Sequence, residues 1–250
     1  QHNMLGIIIQ ARMGSSRLPG KVMMKVNESD TVLSFLIKQL SHSKNIRKIV
    51  LATTDLEEDD VIAEIAKELN VDCFRGSSLD VLDRYYQCAK KFNFSTIVRI
   101  TADCPLIDPT IVDLVIDKFK EGTYDYGTNS LIRTYPYGTE VEIFSFNTLK
   151  SAWHNSKKPS EREHVTPFIY NNKEKFVIFN IEYPSNISHL SWTVDRINDL
   201  KLVQKIVAMI KRRPILLENI LTLLKKEPQL VDINKDRIPN EGYLKSLAND

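Results

Sequence analysis

The stretch LGIIIQ near the start of the chain is an unbroken apolar run of strand length. It lacks the polar residue at every second position that marks a strand with one face in water. A strand of this kind has to be covered on both faces, as in a parallel sheet flanked by helices. The segments that follow agree. TVLSFLIKQLSHS has helical spacing at Val32, Phe35, Leu36 and Leu40, with Asp30 or Thr31 as its cap. KIVLATT reads as a second strand and EDDVIAEIAKELN as an amphipathic helix, with acids in the first turn where the helix dipole favours them. VDCFRG is a short strand, SLDVLDRYYQCAKKF a helix and TIVRIT a strand. DPTIVDLVIDKFKEG is a helix with Pro109 near its start and Gly122 at its stop. Strand and helix in alternation predict an α/β fold whose doubly wound, mainly parallel sheet is covered by helices on both sides.

The regularity breaks near Tyr124. YDYGTNSLIRTYPYGTEVEIFS carries turn residues and then a period-two strand, Thr139 to Phe144. Helices are expected from Phe146 to His154 and from Glu161 to Tyr170, and further strands in KFVIFNIEY and HLSWTV. Asn198 to Lys226 reads as helical with one break at Pro214, and the polar stretch after Pro228 as loosely packed. The organisation expected is one domain over residues 4–228, with an inserted β-rich flap at about 124–190 and a C-terminal tail over 229–250.

Composition narrows the function classes. With 250 residues, 42% hydrophobic and 26% charged, there is ample material for one sizeable core. A net charge of +2 is too balanced for a general nucleic-acid binder. The longest apolar runs are strand-sized, so no membrane span is expected. QHNMLG leads straight into the first strand without a signal peptide, and Gln1–Asn3, which precede a methionine, read as an added remnant. Cys73, Cys88 and Cys104 are an odd count in no metal-like spacing, which suits a reduced, cytoplasmic protein. Cys104 reads as a small packing residue.

Directly after the first strand the chain carries Arg12, Arg17 and Lys21, interleaved with Gly14, Gly20, two serines and Pro19. In an open α/β sheet ligands bind beyond the carboxyl ends of the strands, where this loop must lie. Glycines let the backbone approach a ligand closely. Exposed N–H groups, the Arg fork and the mobile Lys charge together suit a polyphosphate. The loop is neither GxxxxGK[ST] nor GxGxxG. Phosphate chemistry also calls for a metal, and magnesium takes one or two carboxylates plus substrate oxygens. VRITADCP places Asp103 and LSWTVDRINDL places Asp195 just past apolar strands. The two could grip one Mg²⁺ against nucleotide phosphates.

QARMGSSRLPGK closely resembles the N-terminal signature of the cytidylyltransferases that make CMP-activated sugar acids, such as CMP-KDO and CMP-sialate synthetases. It is most similar to the branch of spore coat polysaccharide biosynthesis protein F. FRGSSLDVLDRYYQCA, VRITADCPLIDP, GTEVEIFS, SEREHVTPFIY and WTVDRINDL resemble that branch's later landmarks in the same order, so the likeness spans roughly Ile7 to Val203. It departs in having QAR and ADCP where the sugar-acid synthetases generally have PAR and a GDEP-like loop, with the metal acid retained. The resemblance implies a Rossmann-like three-layer fold of the nucleotide-diphospho-sugar transferase type, with a flap that serves dimerisation. It implies transfer of CMP from CTP to a sugar acid or related acidic or phosphorylated acceptor, with Mg²⁺ as cofactor and a homodimer as the assembly. Carried over by residue, Arg12, Arg17 and Lys21 would hold the triphosphate, and Asp103 and Asp195 the metal, with Arg12, Lys21 and the two acids as the catalytic set. Gln10, Ala11, Met13, Gly14, Arg75, Gly76, Ser77, Arg99, Thr101 and Ala102 would frame base and ribose. Glu140, Glu142, Arg162, Glu163 and His164 would form the acceptor pocket.

Several residues keep a second reading. Asp80 and Arg84, one helical turn apart, form either an ion pair or, for Asp80 with Val81, a wall against the cytosine. His164 is either packed or an acceptor ligand. Glu140 and Glu142 alternate on one strand face, facing either acceptor or solvent. Trp153 and Trp192 are expected in the core. The competing function is a glycosyltransferase using a nucleotide sugar on a similar scaffold. Such enzymes usually carry a DxD motif, and the nearest candidates here, DLEEDD and YDYG, open a helix and the flap. A third reading is a non-catalytic nucleotide sensor.

Overall fold

A computed structural model describes residues 4–46 and 48–250. Gln1–Asn3, read above as an added remnant, lie outside the described residues. A seven-stranded sheet forms the middle layer, in the order β3-β2-β1-β4-β6-β5-β7. Its first half follows the alternation of the sequence: β1 Leu5–Gln10, α1 Val32–Leu40, β2 Ile49–Thr54, α2 Asp60–Glu68, β3 Asp72–Gly76, α3 Val81–Lys91, β4 Thr96–Thr101 and α4 Pro109–Glu121. These four strands are mutually parallel.

The apolar run explains itself in this setting. Ile7 and Ile9 point into the core on one side of the sheet and Ile8 into the core on the other, all three fully buried. Alternate side chains of a strand leave opposite faces, so a strand covered twice has no position left for a polar residue. Each such side chain contributes roughly 1.5–3 kcal/mol by leaving water. The helix caps follow the sequence as well. Thr31 caps α1 in a reciprocal box with Ser34, and Asp108 accepts the Thr110 amide at 2.7 Å ahead of Pro109.

The second half differs from its expectation. Residues 124–190 do not stand apart as a β-rich flap. Their strands β5 Tyr126–Thr128, β6 Glu142–Ser145 and β7 Ile178–Asn180 extend the same sheet, with β6 antiparallel to both β4 and β5. Val141, Ile143 and Phe144 are buried inside this one chain, so their apolar character gives no argument for a partner subunit. α5 Phe146–Asn155 forms as expected. The helix expected over Glu161–Tyr170 is two, α6 Pro159–His164 and α7 Pro167–Tyr170. Buried Val165, at φ 70°, breaks it just before Pro167. HLSWTV is no strand. It runs as an irregular ribbon held by single bonds: Trp192 N–H to the Tyr137 carbonyl at 2.8 Å and Val194 N–H to the Asp103 carbonyl at 2.8 Å.

α8 Ile197–Met209 and α9 Leu217–Lys226 flank Pro214 as expected. The polar end is not loose. A 3-10 stretch, Pro228–Asn234, buries Leu230 and Asn234, and α10 Glu241–Ala248 buries Ser246. Few apolar side chains suffice here because the segment docks through polar bonds. Among the described residues, no helix is long and apolar enough to cross a membrane.

One turn holds the irregular ribbon against the segment ahead of β6. Gly138 has φ 97°, and a Cβ there would lie 2.9 Å from the carbonyl carbon of Trp192. We expect Gly138→Ala to destabilise the protein by about 1–3 kcal/mol, from the left-handed backbone and the close approach together. Chemical denaturation monitored by Trp fluorescence reads this, and an unchanged midpoint would contradict it.

Candidate active site

β1 and β4 are neighbours, with Gln10 opposite Thr101, so the loops that leave them emerge side by side. The first loop is fastened from below. The Met13 amide donates to Asp59 Oδ1 at 2.7 Å, and the Gly20 amide to the Met13 carbonyl at 2.8 Å. Gly20 closes the turn at φ 71°. Asp59 is fully buried and also accepts from Thr54. Sequence reasoning missed it: DLEEDD was weighed only for a metal motif and for acids suiting a helix start.

Lys21 is where the site converges. Its ammonium lies 3.2 Å from Asp195 Oδ1 and 3.6 Å from Asp103 Oδ2, while Arg17 lies 3.6 Å from Asp195. Asp195 reaches Asp103 because the ribbon residue before it, Val194, bonds the Asp103 carbonyl. Burial pushes the Asp103 carboxyl up, but Lys21, the Thr101 hydroxyl at 2.7 Å and the Cys104 thiol at 3.4 Å outweigh it and hold it below its usual range. Cys104 is thus buried packing and also a donor to the acid. Asp195 moves the other way, raised by burial and by the neighbouring Asp103 charge against the pull of Lys21. Two carboxylates within reach of one cation are the hard-oxygen set that Mg²⁺ takes. Arg12 is exposed and, among the described residues, makes no ion pair.

These groups open into a cavity of about 1110 Å³. Of the residues assigned from sequence to nucleotide, acceptor or metal, only Met13, Arg75, Gly76 and Ser77 lie outside its walls. Met13 packs against the core, with its backbone in the loop turn. Arg75 is turned away, its guanidinium committed to the Thr54 and Leu56 carbonyls at 2.8 and 2.7 Å and to Asp60 at 2.7 Å. Gly76 ends β3 packed against Phe74 and Arg84, and Ser77 receives the Asp80 amide on its hydroxyl and Arg84 on its carbonyl. Asp80 and Arg84 do not pair with each other. Asp80 caps α3 through the Asp83 amide and takes Arg162 at 2.8 Å, while Arg84 is buried on backbone carbonyls.

The acceptor-side acids also divide. Glu140 lies ahead of β6, taking Arg133 at 2.9 Å and the Gly138 amide at 2.6 Å. Glu142 faces the cavity but is spent on structure. It accepts Arg99 at 2.7 Å, Thr166 at 2.6 Å and the Tyr126 hydroxyl. Burial, and then the Glu142 charge, push the Tyr126 phenol far above its ordinary range, so it remains a donor. Arg99 also donates to Gln10 Oε1 at 2.9 Å, linking β1, β4 and β6. Glu163 and His164 both meet Ser246 of α10, His164 at 2.8 Å. Burial draws the His164 imidazole below its ordinary value, with Glu163 opposing. Trp192 is core as expected, whereas Trp153 is half-buried, stacked on Tyr86 and donating to Asp83 at 2.8 Å.

A family model described as cytidylyltransferase matches residues 6–236. The chain is 30% identical to spore coat polysaccharide biosynthesis protein SpsF of Bacillus subtilis, over 88% of this chain and 94% of that one. It is 28% identical to 3-deoxy-manno-octulosonate cytidylyltransferase 2 of Hydrogenovibrio crunogenus, over 58% of each. Its fold superposes on a cytidylyltransferase of Leptospira borgpetersenii with a TM-score of 0.89 at 36% identity, covering 92% of this chain and 97% of that one.

Glu142 supplies the test of this geometry. Its carboxylate and Arg99 are only 11% and 12% exposed, so Glu142→Gln leaves a buried guanidinium uncompensated. We expect a loss of about 3–5 kcal/mol in thermal or denaturant unfolding. A variant as stable as the parent would return Glu142 to a purely ligand-facing role.

Proposed function

The chain belongs to the cytidylyltransferase family, and from that membership we propose that it transfers CMP from CTP to a sugar acid or a related acidic or phosphorylated sugar, releasing pyrophosphate, in the making of a surface polysaccharide. The observation that carries this reading is the meeting of the cationic loop with two carboxylates, Lys21 lying within 3.6 Å of both Asp103 and Asp195. The acceptor class is supported by the names of two relatives, a spore coat polysaccharide biosynthesis protein and a 3-deoxy-manno-octulosonate cytidylyltransferase.

In this reading Arg12, Arg17 and Lys21 hold the triphosphate. The acceptor oxygen attacks the α-phosphorus in line: its bond to phosphorus forms as the bond to the departing pyrophosphate breaks. The chain contributes position and fixed positive charge where negative charge builds on the leaving group. Arg17 exchanges its carboxylate partners, Asp195 and Glu241, for phosphate oxygens of the same charge. Asp103, kept ionised by Lys21 and Thr101, and Asp195 would hold Mg²⁺. When bound, the ion would neutralise charge on the phosphate oxygens. A homodimer belongs to the reading on the family resemblance alone, and light scattering on a sizing column should return twice the chain mass.

The test is pyrophosphate release with each of the four nucleoside triphosphates, Mg²⁺ and a panel of sugar acids and sugar phosphates. We expect release with CTP, lowered about a hundredfold or more in Asp103→Asn. Arg12→Ala should weaken CTP binding about 10- to 100-fold, the worth of a charged hydrogen bond. A wild-type protein that binds no nucleotide sinks the reading. Consumption of a nucleotide sugar without pyrophosphate points instead to glycosyl transfer.

A further inference from the structure

The family match stops at residue 236, yet the chain beyond it forms one wall of the same cavity. Arg237, Tyr243, Ser246 and Asn249 all line it. The segment is well docked on the acceptor side. Ser246 meets His164 at 2.8 Å, the Tyr243 ring stands edge-on to His164 with centroids 5.2 Å apart, and the Ser160 amide donates to Asp250 at 2.8 Å. Glu241 ties the start of α10 to Arg196 at 3.0 Å and to Arg17 at 3.5 Å.

Three arginines lining this cavity have no carboxylate partner among the described residues: Arg12, exposed and assigned above to the triphosphate; Arg84, buried with its guanidinium on the Ser77 and Ser78 carbonyls; and Arg237. Arg99 is matched by Glu142, Arg133 by Glu140, Arg162 by Asp80, and Arg17 by Asp195 and Glu241. Arg237 is not matched. Among the described residues it forms no ion pair; its Nη2 donates to the His189 carbonyl at 2.6 Å, and its Nε is buried without a partner. The guanidinium lies 5.8 Å from the Tyr137 ring centroid, the ring on which Arg133 stacks at 3.7 Å. Arg17 and Arg99 also have a buried Nε without a partner, but each has a carboxylate beside it; Arg237 combines an unmet N–H with no ion pair, and a partly buried cation of that kind has the chemistry of an anion receptor.

We propose that residues 237–250 are the acceptor-selecting wall of this site, and that Arg237 receives the anionic group of the acceptor. The proposal rests on the cytidylyl-transfer reading above and adds what that reading leaves open, the group by which the acceptor is recognised. A carboxylate and a phosphate both satisfy the guanidinium fork, so the acceptor is a sugar carrying one or the other.

The experiment uses the full chain with Mg²⁺, and three probes: 3-deoxy-manno-octulosonate for a carboxylate, glucose 1-phosphate for a phosphate, and glucose as the neutral control. Acceptor binding is measured by calorimetry with CMP present, turnover by pyrophosphate release with CTP, and CTP affinity separately. We expect Arg237→Gln to raise the Kd and KM of the anionic acceptor about 10- to 100-fold, while kcat and CTP affinity stay within about twofold. Arg237→Lys should recover part of the loss. A chain ending at Asp236, which keeps buried Leu230 and Asn234, should lose acceptor discrimination while still binding CTP. Should that truncated chain unfold, the two point variants decide. Binding of neither anionic probe by the wild type, use of glucose alone, or an unchanged acceptor KM in Arg237→Gln would overturn the proposal. Failure of the wild type to bind CTP would instead remove the reading on which it rests.

Discussion

The register in which β1 lies beside β4, Gln10 opposite Thr101, is the constraint on which the rest of the site depends. Parallel strands that end level with one another release their loops at the same place. One loop carries Arg12, Arg17 and Lys21, and the other carries Asp103. Neither loop is a site alone. Lys21 without Asp103 loses one of its two carboxylate partners, and Asp103 without Lys21 loses the strongest of the groups that offset its burial. Asp195 joins them through one backbone bond, Val194 N–H to the Asp103 carbonyl. The site is therefore held by the sheet and not by flexible loops.

Charge is used in this protein in two distinct ways. Arg99 with Glu142 and the Asp59 carboxylate on the Met13 amide are closed arrangements around buried carboxylates. Opening one leaves a buried charge behind, so these groups shape the cavity more than they meet ligands. Lys21, Arg17 and the two acids form an open arrangement, held at 3.2 to 3.6 Å with the carboxylates still partly exposed. Charges of this second kind can change partner at little cost when an equally charged ligand arrives.

The C-terminal segment closes the cavity with the same economy of apolar contact. α10 buries little hydrophobic surface, and Leu244 and Leu247 remain exposed. What fixes it is a set of polar bonds to α6 and the first loop through Ser246, Asp250 and Glu241. Such docking is strong where the partners are partly buried and weak where water competes. That places the segment on the wall of the site without making it part of the core.

The first half of the fold was legible because its signals are local. Apolar runs covered on both faces, helical spacing, the cap at Thr31 and Pro109 at the start of α4 each depend on neighbouring residues only. The second half was not. β5 and β7 are three residues long and exist through pairing with distant strands, and the break at Val165 is imposed by packing. That Arg17 and Lys21 lie beside Asp103 could be expected because they follow strands whose ends must meet at one edge of an α/β sheet. That Arg75 turns away from the cavity was not legible, because its direction is decided by carbonyls at Thr54 and Leu56 that no spacing rule reveals. Sequence alone thus determined the layered sheet and the cationic loop at its edge, since both arise from periodicity along the chain. Tertiary structure alone decided that Glu142 is an anchor, that Asp59 fastens the loop and that a polar tail walls the cavity. Those roles depend on which groups are buried together, and burial is set by contacts between residues far apart in sequence.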